Sequence, residues 1–504
     1  MTPTPVRRLP SSQGHDSAPL RSQLVIYSSL SKQQEGFTPL QSDTVTMYTC
    51  GLTVNYLMHI GHARCYVFWD IVHRYLQYLG FKVTHVSNVT DISVDDNILR
   101  RLRETGESFQ QLVTRHTQDY IEDRRRLGIA DPYTYSIATQ HIHEMIELVQ
   151  QLLDQGHAYI ADDGVYFRIS TYPEYGKLSG IDPGKLRTGA SGRITKDEYD
   201  KESVGDFALW KRAAPGEPYW HSPWGPGRPG WHIECSAMSR KYLGETIDIS
   251  GGGEDNISPH HENSIAQSEA ASGKSYVRFW MHVRHLMLNG ERMSKSTGNF
   301  ITAREAASKY GAALVRLSLL STHYRKRMDF TETLIAAAEG RIKQLQYAIA
   351  VLRFFKEKKP PTKPKDDLLS MAIGEAEEQF RAAMNDDFNT ALAITQLFHF
   401  IESLHHHIDK YHELGSNIAE KTLFVLEGIC TILFGDLYEK ELAPIPDSHT
   451  RQLVEFILTE REQLRQNKDF NKADVLRKML RESGIEVIDT PDGPIWWKTA
   501  QPAL

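Results

Sequence analysis

The feature that most constrains the fold of this chain is a strand–helix–strand pattern near its N-terminus. Val45–Thr49 and Lys82–Ser87 have the composition of strands, and His62–Leu79 between them has that of a helix. Gly80 lies where a glycine commonly ends a helix. Because two strands joined by a helix form one crossover unit of a parallel sheet, the sequence predicts an α/β core.

Strand-like sequence resumes at Glu245–Ser250, is followed by three glycines, and leads into a helix from Pro259. Residues 105–156 have a helical, amphipathic pattern, whereas 157–225 are rich in Gly, Pro and Tyr and predict an irregular insertion. Two half-sheets on either side of an insertion indicate a split Rossmann-like fold. Its ligands are expected at the carboxyl ends of the strands.

From about residue 302 onward the sequence predicts helices, broken by the charged, proline-rich stretch 356–367. The last unit is predicted as two helices followed by the strands Ile485–Ile488 and Ile495–Trp497. We therefore predict six segments: a disordered tail (1–22), the first half of the Rossmann-like domain (23–156), a connective insertion (157–225), the second half of that domain (226–330), a helical domain (331–444) and a small C-terminal domain (445–504).

Composition restricts the class of protein. A chain of 504 residues is too long for one hydrophobic core. Its four cysteines (Cys50, Cys65, Cys235 and Cys430) are too few for a disulfide scaffold, which favours a reducing, cytoplasmic setting. The apolar runs are too short for a membrane span, and residues 1–22 lack the apolar stretch of a secretory signal. A disordered tail is favoured there over an organellar transit peptide.

The first chemical motif is His59-Ile60-Gly61-His62, which follows a strand and begins a helix. Two imidazoles three positions apart at a helix N-terminus project toward its free N–H groups and positive potential. Gly61 allows a base or ribose to approach the backbone closely, and a phosphate chain held there would be placed for in-line attack. On its own, the tetrapeptide is equally well explained as a chance surface feature.

The second motif is Arg292-Met293-Ser294-Lys295-Ser296, followed by Thr297-Gly298-Asn299. Its small and polar residues predict a mobile loop that carries two cations, Arg292 and Lys295. Such a loop can close on ATP and stabilise the charge that develops on the phosphates. On its own, a solvated basic loop is the commoner interpretation.

Together the two motifs resemble the ATP motifs of class I aminoacyl-tRNA synthetases, and further blocks resemble the cysteine-specific family. These blocks are Met47–Gly51 with Thr53-Val54, Asn88–Asp91, Gly230–Met238, Pro259–Asn263, Asp386–Thr390, and Asp489-Thr490-Pro491 with Gly493 and Trp496. The resemblance spans about residues 24 to 498. It implies a ligase that activates L-cysteine with ATP to cysteinyl-adenylate and transfers it to the 3′ end of cysteine tRNA. It also implies a cytoplasmic monomer without a membrane partner.

The resemblance also implies residue roles. His59, His62, Arg292 and Lys295 would be catalytic; His59, Gly61, His62 and Lys295 would bind ATP with Mg²⁺; and Gly51 and Trp231 would bind cysteine. The helical domain would contact tRNA and the C-terminal domain would read the anticodon. Trp496 would stack on an unpaired base, next to basic residues that include Arg461, Arg465, Lys468, Lys472, Arg477 and Lys478. The alternative from the residues alone is that one tryptophan packs on Leu453, Ile457 and Leu464.

Three residues, Cys50, Cys235 and His260, match ligands of a zinc ion at the floor of the family's cysteine pocket. A soft metal selects a thiol over a hydroxyl, whereas an apolar pocket distinguishes close isosteres by only about 10–200-fold. Without the resemblance, Cys50 and Cys235 would be interpreted as buried core cysteines.

This chain departs from the family pattern in several places. Ser264 stands where the family has a fourth zinc ligand, a glutamate, and Ser250 stands where it has a histidine. We therefore expect zinc on three protein ligands, with water or Glu262 completing the shell. Two rival functions remain open: a paralogue that joins an adenylated amino acid to a small-molecule amine, and a catalytically inactive tRNA-binding protein. The C-terminal unit argues against the first, and retention of His59, His62 and Lys295 against the second.

Overall fold

The structure, a computed structural model, describes residues 23–92, 97–182, 205–293, 298–362, 366–490 and 493–499. The elements up to the end of the central sheet are, in chain order, β1 (Val25–Ser28), β2 (Gln33–Gly36), β3 (Thr44–Thr49), α1 (Ile60–Tyr78), β4 (Lys82–Val89), α2 (Asn97–Thr105), α3 (Phe109–Arg126), β5 (Thr134–Ile137), α4 (Ile142–Asp154), β6 (Ala158–Ala161), β7 (Gly164–Phe167), β8 (Phe207–Arg212), β9 (Gly227–Pro229), α5 (Trp231–Leu243), β10 (Ile247–Gly253), α6 (Glu262–Ser272) and β11 (Val277–Val283). The remaining elements are β12 (Leu286–Leu288), β13 (Glu291–Arg292), α7 (Ala303–Tyr310), α8 (Ala312–Leu320), β14 (Met328–Phe330), α9 (Glu332–Lys358), α10 (Asp366–Asn385), α11 (Thr390–Tyr411), α12 (Ser416–Phe434), α13 (Ser448–Gln466), α14 (Phe470–Glu482), β15 (Ile485–Ile488) and β16 (Ile495–Lys498).

Five parallel strands form the central sheet, in the order β11, β10, β3, β4 and β5. The register sets Met47 of β3 opposite Ile249 of β10 on one side and His85 of β4 on the other. Strands of a parallel sheet are covered on both faces, which explains why β10 is buried over nearly its whole length. The predicted Rossmann-like core, split by an insertion and followed by a helical region, is confirmed.

Helix α1 connects β3 to β4 and is buried on almost all sides, because it lies between the sheet and the helical region. It packs against β4 as well as α8 and α12. The helix ends at Tyr78, and Gly80, which follows the cap residue Leu79, has a φ of 87° in the left-handed region that glycine adopts without strain. The predicted strand–helix–strand unit therefore agrees with the structure to within about two residues.

Two predictions about secondary structure were wrong. Thr134–Ile137, inside the stretch predicted to be helical, is the fifth strand of the sheet and pairs with Val86–Val89 of β4. The insertion predicted to be irregular contains a four-stranded antiparallel sheet in the order β6, β7, β8, β9. Its core is continuous with one face of the central sheet: Phe167 and Phe207 stack with ring centroids 4.9 Å apart, and Trp210 is buried in the same apolar cluster as Val86 and Ile247.

A buried ion cluster joins the sheet domain to the helical region. Asp70 of α1 accepts hydrogen bonds from Arg74, at 2.8 Å, and from Arg316 of α8. Burial alone would raise the pKa of Asp70, but the two guanidinium groups hold it well below its usual range. Arg316 also donates to the carbonyl of Leu433 at the end of α12. The cluster therefore ties three helices together, with the two guanidinium groups sharing one carboxylate.

Another buried arginine, Arg64 of α1, donates hydrogen bonds to four main-chain carbonyl oxygens. Its guanidinium donates to the carbonyl oxygens of Arg284 and His285, at 2.8 and 2.9 Å, and of His323 and Lys326, at 3.2 and 2.6 Å. Arg284 and His285 lie between β11 and β12, and the other two precede β14. Helix α1 is thus fixed to the segments on both sides of the second sequence motif.

The C-terminal unit consists of α13, α14 and the hairpin of β15 and β16, in the predicted order. Its small core includes Val454, Leu480 and Val487. Trp497 of the hairpin faces the ring of Tyr347 in α9, with centroids 5.8 Å apart, and so joins this unit to the helical region. Residues 1–22, predicted to be a tail, lie outside the described residues. None of the helices in the described ranges has both the length and the apolar content needed to cross a bilayer.

Candidate active site

The site lies at the carboxyl ends of β3, β4 and β10, where neighbouring strands bring distant parts of the sequence together. Cys50 and Gly51 follow β3, and the amide of Gly51 donates to Oδ1 of Asn88 in β4 at 2.7 Å. A Cβ on Gly51 would lie 1.7 Å from the carbonyl oxygen of Asn88. Glycine is therefore required at position 51 by close approach of the two strands, which also leaves its backbone uncovered by a side chain.

The histidine pair lies at the N-terminus of α1. Nδ1 of His59 accepts hydrogen bonds from the amides of Gly61 and His62, at 3.1 and 3.2 Å, so that His59 caps the helix. The two imidazole rings stack with centroids 3.5 Å apart. Because Nδ1 is an acceptor, the proton of neutral His59 is on Nε2. The prediction that both rings project together agrees with this geometry, but the sequence did not reveal that His59 itself occupies two of the helix's amide groups.

The first residues of the second motif, and the segment that follows it, lie beside the first motif. Met293 follows β13, and a Cβ on Gly61 would be 2.6 Å from its terminal methyl carbon. Beyond the motif, the ring of Phe300 contacts His59 edge to face, with centroids 5.8 Å apart, and the carbonyl of Ile301 accepts from the amide of Ile60 at 3.2 Å. Both ends of the loop therefore flank the histidine pair. Arg292 is exposed at this edge.

Residues 294–297, which include Lys295, lie outside the described residues.

Two thiols meet at the floor of the site. Sγ of Cys50 is 3.9 Å from Sγ of Cys235, which lies on α5 and is buried. Two thiolates on one tetrahedral zinc ion are separated by about 3.8 Å, since each Zn–S bond is about 2.3 Å long. The hydrogen bond between the two residues, together with burial, raises the pKa of Cys50. The same hydrogen bond lowers the pKa of Cys235, an effect that His260 reinforces.

Four buried histidines surround the thiols. Nδ1 of His260 is 3.1 Å from Nδ1 of His232, and Nε2 of His261 is 3.1 Å from Sγ of Cys50. Nδ1 of His261 is 2.8 Å from Nε2 of His282. Burial lowers the pKa of His232 and His261 well below the usual value and lowers the pKa of His282 to about 3. The rings of His232, His261 and His282 are therefore neutral near pH 7, the form in which imidazole binds metals.

The donor set fits a soft divalent metal such as zinc. Among the described residues, the ligand atoms of Cys50, His260 and His261 lie within 4.8 Å of one another, and Cys235 adjoins them. The structure thus brings together the three predicted ligands, Cys50, Cys235 and His260. It adds His261, which sequence reasoning missed although it directly follows His260.

The two residues considered as substitutes for the missing glutamate point elsewhere. Ser264 donates its hydroxyl proton to the carbonyl oxygen of His260, at 2.8 Å. The carboxylate of Glu262 accepts from the amides of Gly176, Leu178 and Ser179, at 2.8, 3.1 and 2.6 Å. The suggestion that Glu262 completes a metal shell was therefore wrong, because its oxygens hold a turn of the insertion in place.

Trp231 begins α5 and stacks on His260, with ring centroids 4.5 Å apart and an angle of 27° between the planes. Its side chain is half-buried. Gly51 and Trp231, the two predicted cysteine-binding residues, thus both adjoin the metal-ligand cluster.

Comparison with known proteins places this geometry in a family. The profile of the tRNA synthetases class I (C) catalytic domain matches residues 36–340, and that of the DALR domain matches residues 379–433. A cysteine–tRNA ligase of Thermococcus onnurineus is 42% identical over 476 residues, which cover 94% of this chain and 98% of the relative. One of Symbiobacterium thermophilum is 42% identical over 474 residues, with the same coverage. The chain belongs to the cysteine–tRNA ligase family.

Solved structures of other synthetases share the fold of this cysteine–tRNA ligase family member. A methionyl-tRNA synthetase of Mycobacterium tuberculosis bound by methionyl-adenylate superposes with a TM-score of 0.60 at 13% identity, over 79% of this chain and 93% of that one. A LeuRS of Agrobacterium radiobacter K84 in a complex with tRNA and LeuAMS gives a TM-score of 0.60 at 11% identity, over 82% and 86% of the two chains. At these identities the likeness concerns the fold.

Trp496, the residue of the C-terminal unit predicted to contact RNA, is not fully exposed. Trp496 is half-buried against that unit's apolar core. Two of the predicted basic residues, Arg461 and Arg465, form ion pairs with Asp489. Leu453, named as a packing partner for a tryptophan, is 60% exposed. Of the other predicted basic residues, Lys472, Arg477 and Lys478 are exposed on α14, and Lys468 is exposed just before that helix.

Proposed function

We propose that this chain is a cysteine–tRNA ligase that activates L-cysteine with ATP and transfers it to the 3′ end of cysteine tRNA. The observation that carries the proposal is the position of two clusters at one edge of the same sheet. The stacked histidine pair adjoins the synthetase loop, and the thiol–imidazole cluster lies at the ends of β3 and β10. The 42% sequence identity to a cysteine–tRNA ligase, over 94% of the chain, supports the choice of substrate.

The N-terminus of α1 binds the nucleotide in this proposal. The cap uses Nδ1 of His59, and in the proposal the Nε2–H group on the other side of the ring donates to a phosphate oxygen, while the helix supplies positive potential at the same end. Stacking on His62 fixes the ring plane of His59. Arg292 and Lys295 then stabilise the charge on the phosphates as the cysteine carboxylate attacks the α-phosphate of ATP and pyrophosphate leaves with its Mg²⁺.

The cysteine pocket combines Gly51, Trp231 and the cluster beneath them. Gly51 is half-buried and adds no side chain of its own to the pocket, and the half-buried Trp231 excludes water from one side. Cys50, Cys235 and His260 would hold a zinc ion. When bound, zinc supplies a soft Lewis acid that prefers a substrate thiol to a hydroxyl. The residues of the chain orient the amino acid so that its carboxylate faces the nucleotide.

Residues 331–444 and 445–504 are proposed to hold the tRNA, with Trp496 in contact with an unpaired base. Support comes from the basic surface of α14, where Arg477, Lys478 and Arg481 line a cavity of about 340 Å³ with Asp474 and Glu486. Trp497 connects this unit to α9 and so fixes its distance from the catalytic sheet.

The deciding experiment is ATP–pyrophosphate exchange with each of the twenty amino acids, followed by charging of cysteine tRNA. We expect exchange to be fastest with cysteine. Cys235→Ala should abolish that preference, whereas the matched control Cys430→Ala, which removes a buried thiol from α12, should retain it. Exchange driven best by another amino acid, or by none, would overturn the proposal.

A ligase that joins the adenylated amino acid to a small-molecule amine is the second candidate. Its support is the hydroxyl of Ser264, which stands where the family has a carboxylate and is bonded to a backbone carbonyl. Cysteine-dependent exchange without charging of cysteine tRNA would favour this candidate over the first.

A further inference from the structure

From the contacts around Cys50 we infer that His261 takes the fourth position on the zinc ion, so that two thiolates and two imidazoles hold the metal. The inference rests on the proposed function insofar as that function requires zinc. It differs from the expectation drawn from the sequence, in which water or Glu262 takes the position that Ser264 leaves.

The first step concerns position 264, where the family has a glutamate ligand and this chain has a serine. Ser264 lies on α6, four residues after His260, and its hydroxyl donates to the carbonyl oxygen of His260 at 2.8 Å. This bond runs along the helix, from one turn to the preceding one. A neutral hydroxyl so engaged is a poor zinc ligand, since zinc in proteins prefers thiolate, imidazole and carboxylate.

The second step concerns the carboxylates nearby. Glu262 is completely buried, and both of its oxygens accept backbone N–H groups from residues 176–179. Oε2 of Glu234 accepts from the hydroxyl of Thr90 at 2.9 Å. The group of described residues whose ligand atoms lie within 4.8 Å of one another contains one thiol and two imidazoles, with no carboxylate.

The third step is the orientation of His261. Its Nε2 atom is 3.1 Å from Sγ of Cys50, and its Nδ1 atom is 2.8 Å from Nε2 of His282. Nδ1 of His282 in turn lies 2.9 Å from the hydroxyl of Ser29. With neutral rings these contacts form one consistent chain: His282 donates from Nδ1 to Ser29, and His261 donates from Nδ1 to Nε2 of His282. The lone pair on Nε2 of His261 then points toward Cys50.

Histidines that bind metals commonly donate their other ring N–H to a neighbouring acceptor, which fixes the tautomer and the ring plane. His261 has this arrangement through His282. A sulfur and a nitrogen on one tetrahedral zinc ion are about 3.5 Å apart, close to the 3.1 Å observed between Cys50 and His261. His232 contacts Nδ1 of His260, which leaves Nε2 of His260 for the same ion.

The charge of the site follows from this ligand set. Two thiolates and two imidazoles make the zinc site neutral, whereas a glutamate in place of one imidazole gives it one negative charge. A neutral site repels an incoming thiolate less. His261, compared with a glutamate at the fourth position, therefore keeps the ligand set soft and lets the zinc site bind the thiolate of the substrate cysteine more readily.

The test begins with the intact wild-type chain loaded with one equivalent of zinc. X-ray absorption at the zinc edge is expected to show two sulfur ligands at about 2.3 Å and two imidazole nitrogens at about 2.0 Å. His261→Gln should reduce the imidazole count to one and weaken zinc binding by more than about 100-fold. Loss of a residue that only supports a metal ligand costs up to about 100-fold, and loss of the ligand itself should cost more. The matched control His282→Gln should keep two imidazoles and weaken zinc binding by about 10–100-fold.

A double-mutant cycle adds a second readout, the zinc affinity measured by competition with a chelator. Ser264→Glu should restore zinc affinity in the His261→Gln background and have little effect in the wild type, because the fourth position is already filled. Equal tightening in both backgrounds, or one imidazole in the wild-type spectrum, would overturn the inference. Cysteine-dependent pyrophosphate exchange by the same sample would then show that the proposed function stands without it. If the chain binds no zinc, the inference fails, and the exchange assay decides the proposed function separately.

Discussion

Gly61→Ala is expected to lower activation activity without weakening the fold. The added methyl group would lie 2.6 Å from the terminal carbon of Met293 and 3.0 Å from the ring of His59. Carbon atoms in contact prefer about 3.5–4.0 Å, so Met293 must move by roughly 1 Å. Because Met293 is flexible and partly exposed, this movement costs the fold little. Alanine is also the better helix former, by up to about 1 kcal/mol.

The same 1 Å movement of Met293 is costly for catalysis, because Met293 leads directly into the loop with Lys295. In addition, the new methyl group occupies the surface proposed for the nucleotide. A misplacement of that size can reduce a reaction rate by about 10²-fold. We therefore expect kcat/KM for ATP in pyrophosphate exchange to fall by about that factor, while thermal unfolding is unchanged or slightly delayed.

The matched control is Gly340→Ala on the exposed face of α9, where an added Cβ meets nothing within 4 Å. It should give the same small gain in helix stability with full activity. Removing the side chain of Met293 in the Gly61→Ala background tells whether the loss comes through the loop or through the nucleotide. Full exchange activity in Gly61→Ala would refute the assignment of this helix end to ATP.

Three further outcomes are expected. Lys295→Ala should lower the single-turnover rate of adenylate formation by about 10²–10³-fold with cysteine affinity retained, because a loop cation acts mainly on the charge that develops during reaction. An unchanged rate would show that the loop takes no part in adenylate formation. A chain ending at Pro444 should form the adenylate but fail to charge tRNA in an aminoacylation assay, and equal loss of both activities in a folded protein would contradict this. Asp70→Asn should lower the free energy of unfolding by about 3–5 kcal/mol in denaturant titrations, because it leaves Arg74 and Arg316 buried without their carboxylate; a smaller loss would mean that the carbonyl contacts of the arginines suffice.

The central sheet was predictable from the sequence because its first strands and the helix between them are long and strongly patterned. Strand β5 was missed, since Thr134–Ile137 is only four residues long and lies between two helices. Its pairing with β4 becomes visible only in three dimensions. The sheet of the insertion was missed for a related reason. Its strands are three to six residues long and are separated by Gly and Pro, which sequence reasoning interprets as loops.

The candidate site was predictable where its residues belong to a recognisable sequence motif, as do His59, His62, Cys50 and Cys235. The role of His261 was not, because two adjacent histidines on one helical turn point in different directions and the sequence does not tell which one faces a thiol. The answer depends on His282, which the fold brings from β11. Likewise, the commitment of Glu262 to the insertion depends on a turn more than eighty residues away.

The four carbonyl contacts of Arg64 have a consequence for how this position can vary among related sequences. Lysine carries the same charge but has three donors on one nitrogen, and it cannot reach four carbonyl oxygens that lie around a planar fork. Burial lowers the pKa of Arg64 to about 10, and a lysine in the same place, with its lower starting pKa, would be driven toward its neutral form. A survey of substitutions should therefore find position 64 intolerant of lysine although it touches no substrate, and charge-conserving exchange there should reduce the yield of folded protein.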